Sequence, residues 1–418
     1  MSLTQFVYSQ TCVLAASVAL NIKWDATHES KKYMSEFDDN LPLYDEVDVL
    51  PAYGWDCKVV NLGQMGIHKD KVTVIMSGNN NYQPNRSIKG QLVVQTDCSF
   101  NCVAVDLVLI ESVARSKEFV DTRAVRRCVL SSYKTKGEML NGTNHLKEGE
   151  GLSFTFSLFI PNQVPETACK GAPEVQAVHL QLPPTVGAKL DAPFDTDYRD
   201  LPDSCLRIGY VVRARLYNGN SEVLHTIRQI PLIPRYNTIR QLSHANKEVM
   251  TTCKIRAGKF TRRYLGTASV RVVPPPPINA STQDQLSLQP RITYTPGHAG
   301  APPPELKGIE YRIVMYTLTS VSPSASEVHG PGRGVQTSTE VLAEHSITPG
   351  YLAWEIEPLE DDIVAYSTTI NLVALLPHTH PHFTPTFSTC LATRKYELRV
   401  AIDIAGTSLR TTIPLHFS

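Results

Sequence analysis

Three histidines spaced two apart, His378, His380 and His382, are the residues whose type most directly suggests metal chemistry, because side chains at i and i+2 of a strand share a face. Prolines at 377, 381 and 385 break any such strand, and no carboxylate or cysteine adjoins the run. The expectation is an irregular loop and no metal site. The second spacing with chemical meaning is a proline followed two positions later by a tyrosine. It occurs as Leu41-Pro42-Leu43-Tyr44 and again as Leu50-Pro51-Ala52-Tyr53. An extended segment of this kind can pack its proline and tyrosine into the aromatic groove of a WW domain. Two copies nine residues apart would reinforce each other through effective concentration. The plainer alternative is a chance tetrapeptide in an acidic tail, with Tyr53 and Trp55 anchoring that tail to the folded part; the sequence leaves both open.

A third constellation is electrostatic. Lys254, Arg256, Lys259, Arg262 and Arg263 put five positive charges into ten residues with no acid among them. They could meet anionic lipid headgroups or an acidic cargo tail; the bland alternative is a solvated linker face. Signals for catalysis are missing: there is no Gly-x-Ser-x-Gly elbow, no phosphate-cradling glycine loop and no His-Glu-x-x-His. Gly330-Pro-Gly-Arg-Gly334 precedes no helical pattern and reads as a hairpin tip. The expectation is a protein that is not an enzyme, with no catalytic residues and no cofactor.

The elements that would position these groups are strands. Leu152, Phe154, Phe156, Leu158 and Ile160 alternate with Ser153, Thr155 and Ser157, and Pro161 ends the run. Tyr210, Val212, Ala214 and Leu216 alternate with Arg213 and Arg215. Val72, Val74 and Met76, then Ile88–Thr96 and Val103–Val113, read as a strand, a turn and two further strands. Near the carboxyl end, Leu398, Val400, Ile402 and Ile404 alternate with charged residues, Gly406 marks a turn, and Leu409 to Phe417 alternate again, which is a hairpin. The proline-rich connection from Asn162 to Ser204 is longer than a hairpin needs, suggesting an ordered excursion or functional loop. The fold class is therefore all-β, with two immunoglobulin-type β-sandwiches in tandem. The expected divisions are an amino-terminal segment over 1–57, a sandwich over 58–240, a linker over 241–257 and a second sandwich over 258–418. Residues 33–57 carry seven acids and no lysine or arginine, so that stretch is expected to be a disordered acidic tail.

Composition narrows the class of partner. Lysine plus arginine equals aspartate plus glutamate at 40 each, so no global field points to nucleic acid. Nine cysteines with no CxxC pair read as reduced thiols of a cytoplasmic protein. The apolar run Cys12–Leu20 has no cationic start and is too short to span a bilayer. The sequons at Asn85, Asn141 and Asn279 are on this view accidental.

Several of these motifs, taken in order, resemble a known family. Tyr82-Gln-Pro84 with Ile88-Lys-Gly90 resembles the opening of an arrestin amino-terminal domain, and Phe154-Thr-Phe-Ser-Leu-Phe-Ile-Pro161 resembles the arrestin strand ending in F-x-I-P. His179-Leu-Gln-Leu-Pro-Pro-Thr-Val-Gly187, Asp200-Leu-Pro-Asp203 and Arg207-Ile-Gly-Tyr210 are similar to the fungal Bul-type branch of arrestin-related ubiquitin-ligase adaptors. Pro385-Thr-Phe387-Ser-Thr-Cys390 with Tyr396-Glu-Leu-Arg399 resembles the carboxyl-terminal arrestin domain. The resemblance covers about residues 58–418. It implies a scaffold, peripheral to the plasma membrane or endosomes, that links transporter or receptor cargo to a WW-domain HECT ubiquitin ligase for ubiquitination, endocytosis and sorting. This chain departs from the family in lacking a Pro-Pro-x-Tyr tetrapeptide, for which the two Leu-Pro-x-Tyr copies are conservative variants. The competing class is a secreted or structural two-domain β-sandwich protein of an adhesion or coat type.

Overall fold

The computed structural model describes residues 57–61, 71–78, 82–95, 100–117, 120–134, 150–169, 171, 173–187, 206–232, 247–257, 263–279, 282–322, 335–349, 352–358, 364–376 and 383–418. Strands dominate these residues, and no described helix is long and apolar enough to cross a membrane. The chain from Trp55 to Ser418 forms one compact unit.

The first half contributes β1 (Cys57–Asn61), β2 (Val72–Met76), β3 (Ser87–Gln95), β4 (Cys102–Lys117), β5 (Val120–Lys134), β6 (Glu150–Phe159), a short helix α1 (Pro173–His179), β7 (Leu206–Asn218) and β8 (Ser221–Ile230). The strands make two antiparallel sheets, ordered β1-β6-β3-β2 and β5-β4-β7-β8. Their facing side chains, among them Leu92, Leu107, Phe154, Phe156 and Tyr210, form one continuous core. In β6 the expected alternation holds from Phe154 onward, with Phe154, Phe156 and Leu158 buried and Thr155, Ser157 and Phe159 exposed, whereas Ser153, expected on the polar face, is buried beside Leu152. Gly90 of β3 is needed because a Cβ there would lie 2.5 Å from the Phe156 ring and 2.6 Å from the Ile75 carbonyl oxygen. The central strands β4 and β7 are buried on both faces over Val103–Val113 and Leu206–Val212, which is why they read as apolar runs.

The second half contributes β9 (Val249–Ala257), β10 (Arg263–Val272), β11 (Gln285–Leu288), β12 (Arg291–Pro296), β13 (Leu306–Ser320) and β14 (Val335–Ile347). After these come β15 (Glu355–Pro358), β16 (Val364–Thr369), β17 (Leu372–Leu375), β18 (Phe387–Ser388), β19 (Ala392–Ile404) and β20 (Thr407–Leu415). A sheet ordered β15-β16-β12-β10-β9, extended by the β11-β17 pair, faces a sheet ordered β14-β13-β19-β18 with β20 also on β19. Ile292, Tyr294, Ile313, Leu398 and Ile413 lie in the core between them. The β19–β20 hairpin turns at Ala405 and Gly406, both with positive φ (53° and 82°), as the twist of a two-residue connection requires. The Gly406 N–H donates to Asp403 Oδ1 at 2.7 Å, closing the turn. The fold is thus all-β, as expected, and built around two cores.

One boundary differs from the expectation. The linker anticipated over 241–257 is already strand from Val249, because β9 pairs with β10 along its whole length and opens the second sandwich. It is an edge strand in which only Ile255 is fully buried, while Met250 faces outward and Thr251 inward, so its apolar pattern is blurred in the sequence. Residues 233–246 and the amino-terminal segment up to Asp56 lie outside the described residues.

The two sandwiches are joined by the end of the second. Phe387 of β18, Cys390 and Leu391 of the turn that follows it, and Ala392 at the start of β19 belong to the second sandwich but pack into the first core. Thr389 shapes this turn: its Oγ1 accepts from the Leu391 and Ala392 N–H groups at 3.2 and 3.0 Å. The Ser320 N–H donates to the Leu391 carbonyl at 2.8 Å and fixes the turn to β13.

Candidate functional site

The side chains expected to act fall in different places. Leu41, Pro42, Tyr44, Leu50, Pro51 and Tyr53 lie outside the described residues, as do Lys259, Arg262 and the His378–His382 run. Lys254 and Arg256 are exposed on the same face of β9, and Arg263, also exposed, opens β10. Across the sheet their register brings Tyr264 opposite Arg256, and Arg271 opposite both Met250 and Arg291. Arg291 is tied to Glu357, which lies on β15 and whose carboxyl is held below the ordinary range by hydrogen bonds from Ser367 and Arg291. The outer face of this sheet is therefore basic near its β9 edge, with Met250 and Tyr264 exposed among the charges.

A second constellation, which the linear sequence did not suggest, is buried where the sandwiches meet. It is built on the excursion after β6. Pro165 precedes a 3-10 turn at Glu166–Ala168, and α1 begins at Pro173, where a missing N–H costs no helical bond. The Val164 N–H donates to the Leu180 carbonyl at 2.7 Å, and Gln176 Nε2 donates to the carbonyls of Glu166 and Cys169 at 3.1 Å each. Tyr210 donates its hydroxyl to the Pro183 carbonyl at 2.6 Å and anchors the excursion to β7. The expected ordered excursion is thus present over the described part of 162–187. It presents Cys169 and His179 to the same point, with Cys169 Sγ 3.7 Å from His179 Nδ1. Cys390 arrives from the Thr389 turn of the second sandwich, and one ligand atom from each of Cys169, His179 and Cys390 lies within 4.8 Å of the others. All three residues are buried.

A charged pair borders this cluster. Glu111 projects from the core face of β4, in line with Leu107, Leu109 and Val113, and is 1% exposed. It sits directly across from Arg126 on β5, whose Nη1 donates to both carboxylate oxygens at 3.2 Å. Arg126 Nη2 donates to the Ala168 carbonyl at 2.8 Å, next to Cys169. Burial raises the Glu111 carboxyl above its ordinary range, and Arg126 offsets this only in part, assisted by a hydrogen bond from Thr389. The Cys390 thiol is pushed up to about 12, chiefly by burial, and burial raises Cys128 as well. A thiol held protonated in this way, as Cys390 is, is a weak nucleophile. Cys102, Cys128, Cys169, Cys253 and Cys390 are free thiols.

A separate knot lies on the outer face of the same sheet. Asp106, 1% exposed, accepts from Ser132 Oγ at 2.6 Å and pairs with Arg215 at 2.6 Å and Arg213 at 3.5 Å. It bonds β4 to both neighbouring strands and is satisfied there.

Comparison with protein-family models and with curated proteins finds no match to this chain.

Proposed function

We propose that the chain is an arrestin-like adaptor that bridges membrane cargo and a WW-domain HECT ubiquitin ligase, acting in the cytoplasm at the plasma membrane or endosomes. The observation that carries this reading is the two-lobed platform: two β-sandwiches in tandem, fastened by a buried turn of the second in the core of the first. The motifs behind the family resemblance fit that arrangement. Phe154–Phe159 is the later part of β6, with Pro161 just beyond its end, and Tyr396–Arg399 lies in β19, the central strand of its sheet. A platform of this kind accelerates a partner's reaction by holding substrate and enzyme together, without chemistry of its own.

Ligase docking is assigned to Leu41-Pro42-Leu43-Tyr44 and Leu50-Pro51-Ala52-Tyr53. Leucine in place of the first proline of the family motif keeps an apolar contact but loses some preformed extended conformation, so each copy binds weakly alone. Linkage of the two sites multiplies apparent affinity by roughly 100-fold for a ligase with several WW domains. The expected result is that Tyr44→Ala or Tyr53→Ala alone lowers capture by tandem WW domains, and that the double change removes it at an unchanged melting temperature. Undiminished capture by the double variant would overturn the assignment.

The basic β9 edge is assigned to an anionic membrane surface or to an acidic cargo tail. Near a charged bilayer each such side chain contributes about 1 kcal/mol. Changing Lys254, Arg256 and Arg263 together to glutamate is therefore expected to abolish co-sedimentation with phosphatidylserine vesicles and to leave thermal stability nearly unchanged, since all three are exposed. Equal sedimentation of both proteins would reduce this face to a solvated one.

A further inference from the structure

We propose that Cys169, His179 and Cys390 form a zinc site that ties the second sandwich to the first. In a tetrahedral zinc site, Zn–S of about 2.3 Å and Zn–N of about 2.0–2.1 Å place neighbouring ligand atoms roughly 3.5–3.8 Å apart. The 3.7 Å between Cys169 Sγ and His179 Nδ1 already meets that spacing. All three ligand atoms lie within 4.8 Å of one another, so closing Cys390 around an ion needs shifts of at most about 1.3 Å. Two sulfurs and one imidazole nitrogen are a soft set that suits zinc and is poor for calcium or magnesium.

Charge and surroundings agree with the ion. Two thiolates cancel the two charges of zinc, and the adjoining Glu111–Arg126 pair is neutral as a unit, so the buried assembly carries no net charge. The Gly171 N–H points at Cys169 Sγ at 3.4 Å and is placed to support a metal-bound thiolate. Arg126 holds the Ala168 carbonyl and thereby the loop that carries Cys169. Three protein ligands leave the fourth corner to a water molecule. The consequence is a cross-link: two ligands come from one excursion of the first sandwich, and the third comes from a turn of the second. This holds whether or not the chain is a ligase adaptor.

The test is elemental analysis of the full untagged chain purified from zinc-supplemented cells, with cobalt substitution as an independent readout. The expected result is one zinc per chain and, after exchange, a thiolate-to-cobalt charge-transfer band in the wild-type protein. The double variant Cys169→Ser/Cys390→Ser should lose zinc at least about tenfold and lose the band. Cys128→Ser and the triple variant His378→Ala/His380→Ala/His382→Ala should retain both. Absence of metal from the wild-type protein overturns the proposal, as does copper in place of zinc, zinc retained by the double variant, or a Cys169–Cys390 disulfide in metal-free protein. Because the cobalt spectrum is read on the wild-type chain, a poorly folded variant does not shelter the proposal.

Discussion

Replacing Arg126 with methionine is expected to lower the melting temperature by roughly 10 °C, one of the largest effects of any single exchange in the first sandwich. Its partner Glu111 is 1% exposed, so removing the arginine strands a carboxylate in the core. Breaking such a pair from one side costs about 3–5 kcal/mol, and a domain of this size shifts by about 2–4 °C per kcal/mol. The double variant Glu111→Leu/Arg126→Met removes both charges and should recover most of the loss. The bond from Arg126 to the Ala168 carbonyl accounts for a remaining deficit of about 1 kcal/mol. Equal destabilisation by the single and double variants would mean that the charges are not coupled. The pH dependence has a definite sign. Burial raises the Glu111 carboxyl in the folded state, so the folded chain holds that proton more tightly than the unfolded chain. Its contribution is favourable below the ordinary carboxylate range and is lost as pH rises through the folded value. Without Arg126 the folded value rises further, and the deficit of the variant should be greatest at neutral pH and shrink on mild acidification.

The second large effect concerns coupling between the lobes. Leu391 is 1% exposed, belongs to the turn before β19 and packs in the first core. Truncating it to alanine leaves the backbone bonds of the turn in place and opens a cavity worth about 2–5 kcal/mol. Calorimetry of Leu391→Ala is expected to show two separated transitions where the parent chain shows one, because the lost contact is shared by both sandwiches. Leu409→Ala, which empties a site wholly within the second core, should instead lower one transition. Identical behaviour of the two variants would contradict a junction built on this turn.

The parts of this protein legible in one dimension are those whose physics is local. Period-two alternation in β6 and in the β19–β20 hairpin follows from each strand having one face on a core, and the Gly406 turn follows from the need for positive φ. Glu111 was within reach too: counting by twos from Leu107 through Leu109 to Val113 puts an acid on the core face, yet the apolar run around it hid the exception. β9 is hard to read in one dimension because an edge strand tolerates Thr251 inward and Met250 outward at little cost, and these two exceptions blur the alternation of Val249, Cys253, Ile255 and Ala257 with Lys254 and Arg256. The Cys169, His179 and Cys390 cluster has no linear signature at all. Its ligands come from a 3-10 turn, the end of α1 and a turn of the other sandwich, and only the packing of Leu391 and its neighbours into the first core brings the third sulfur within reach.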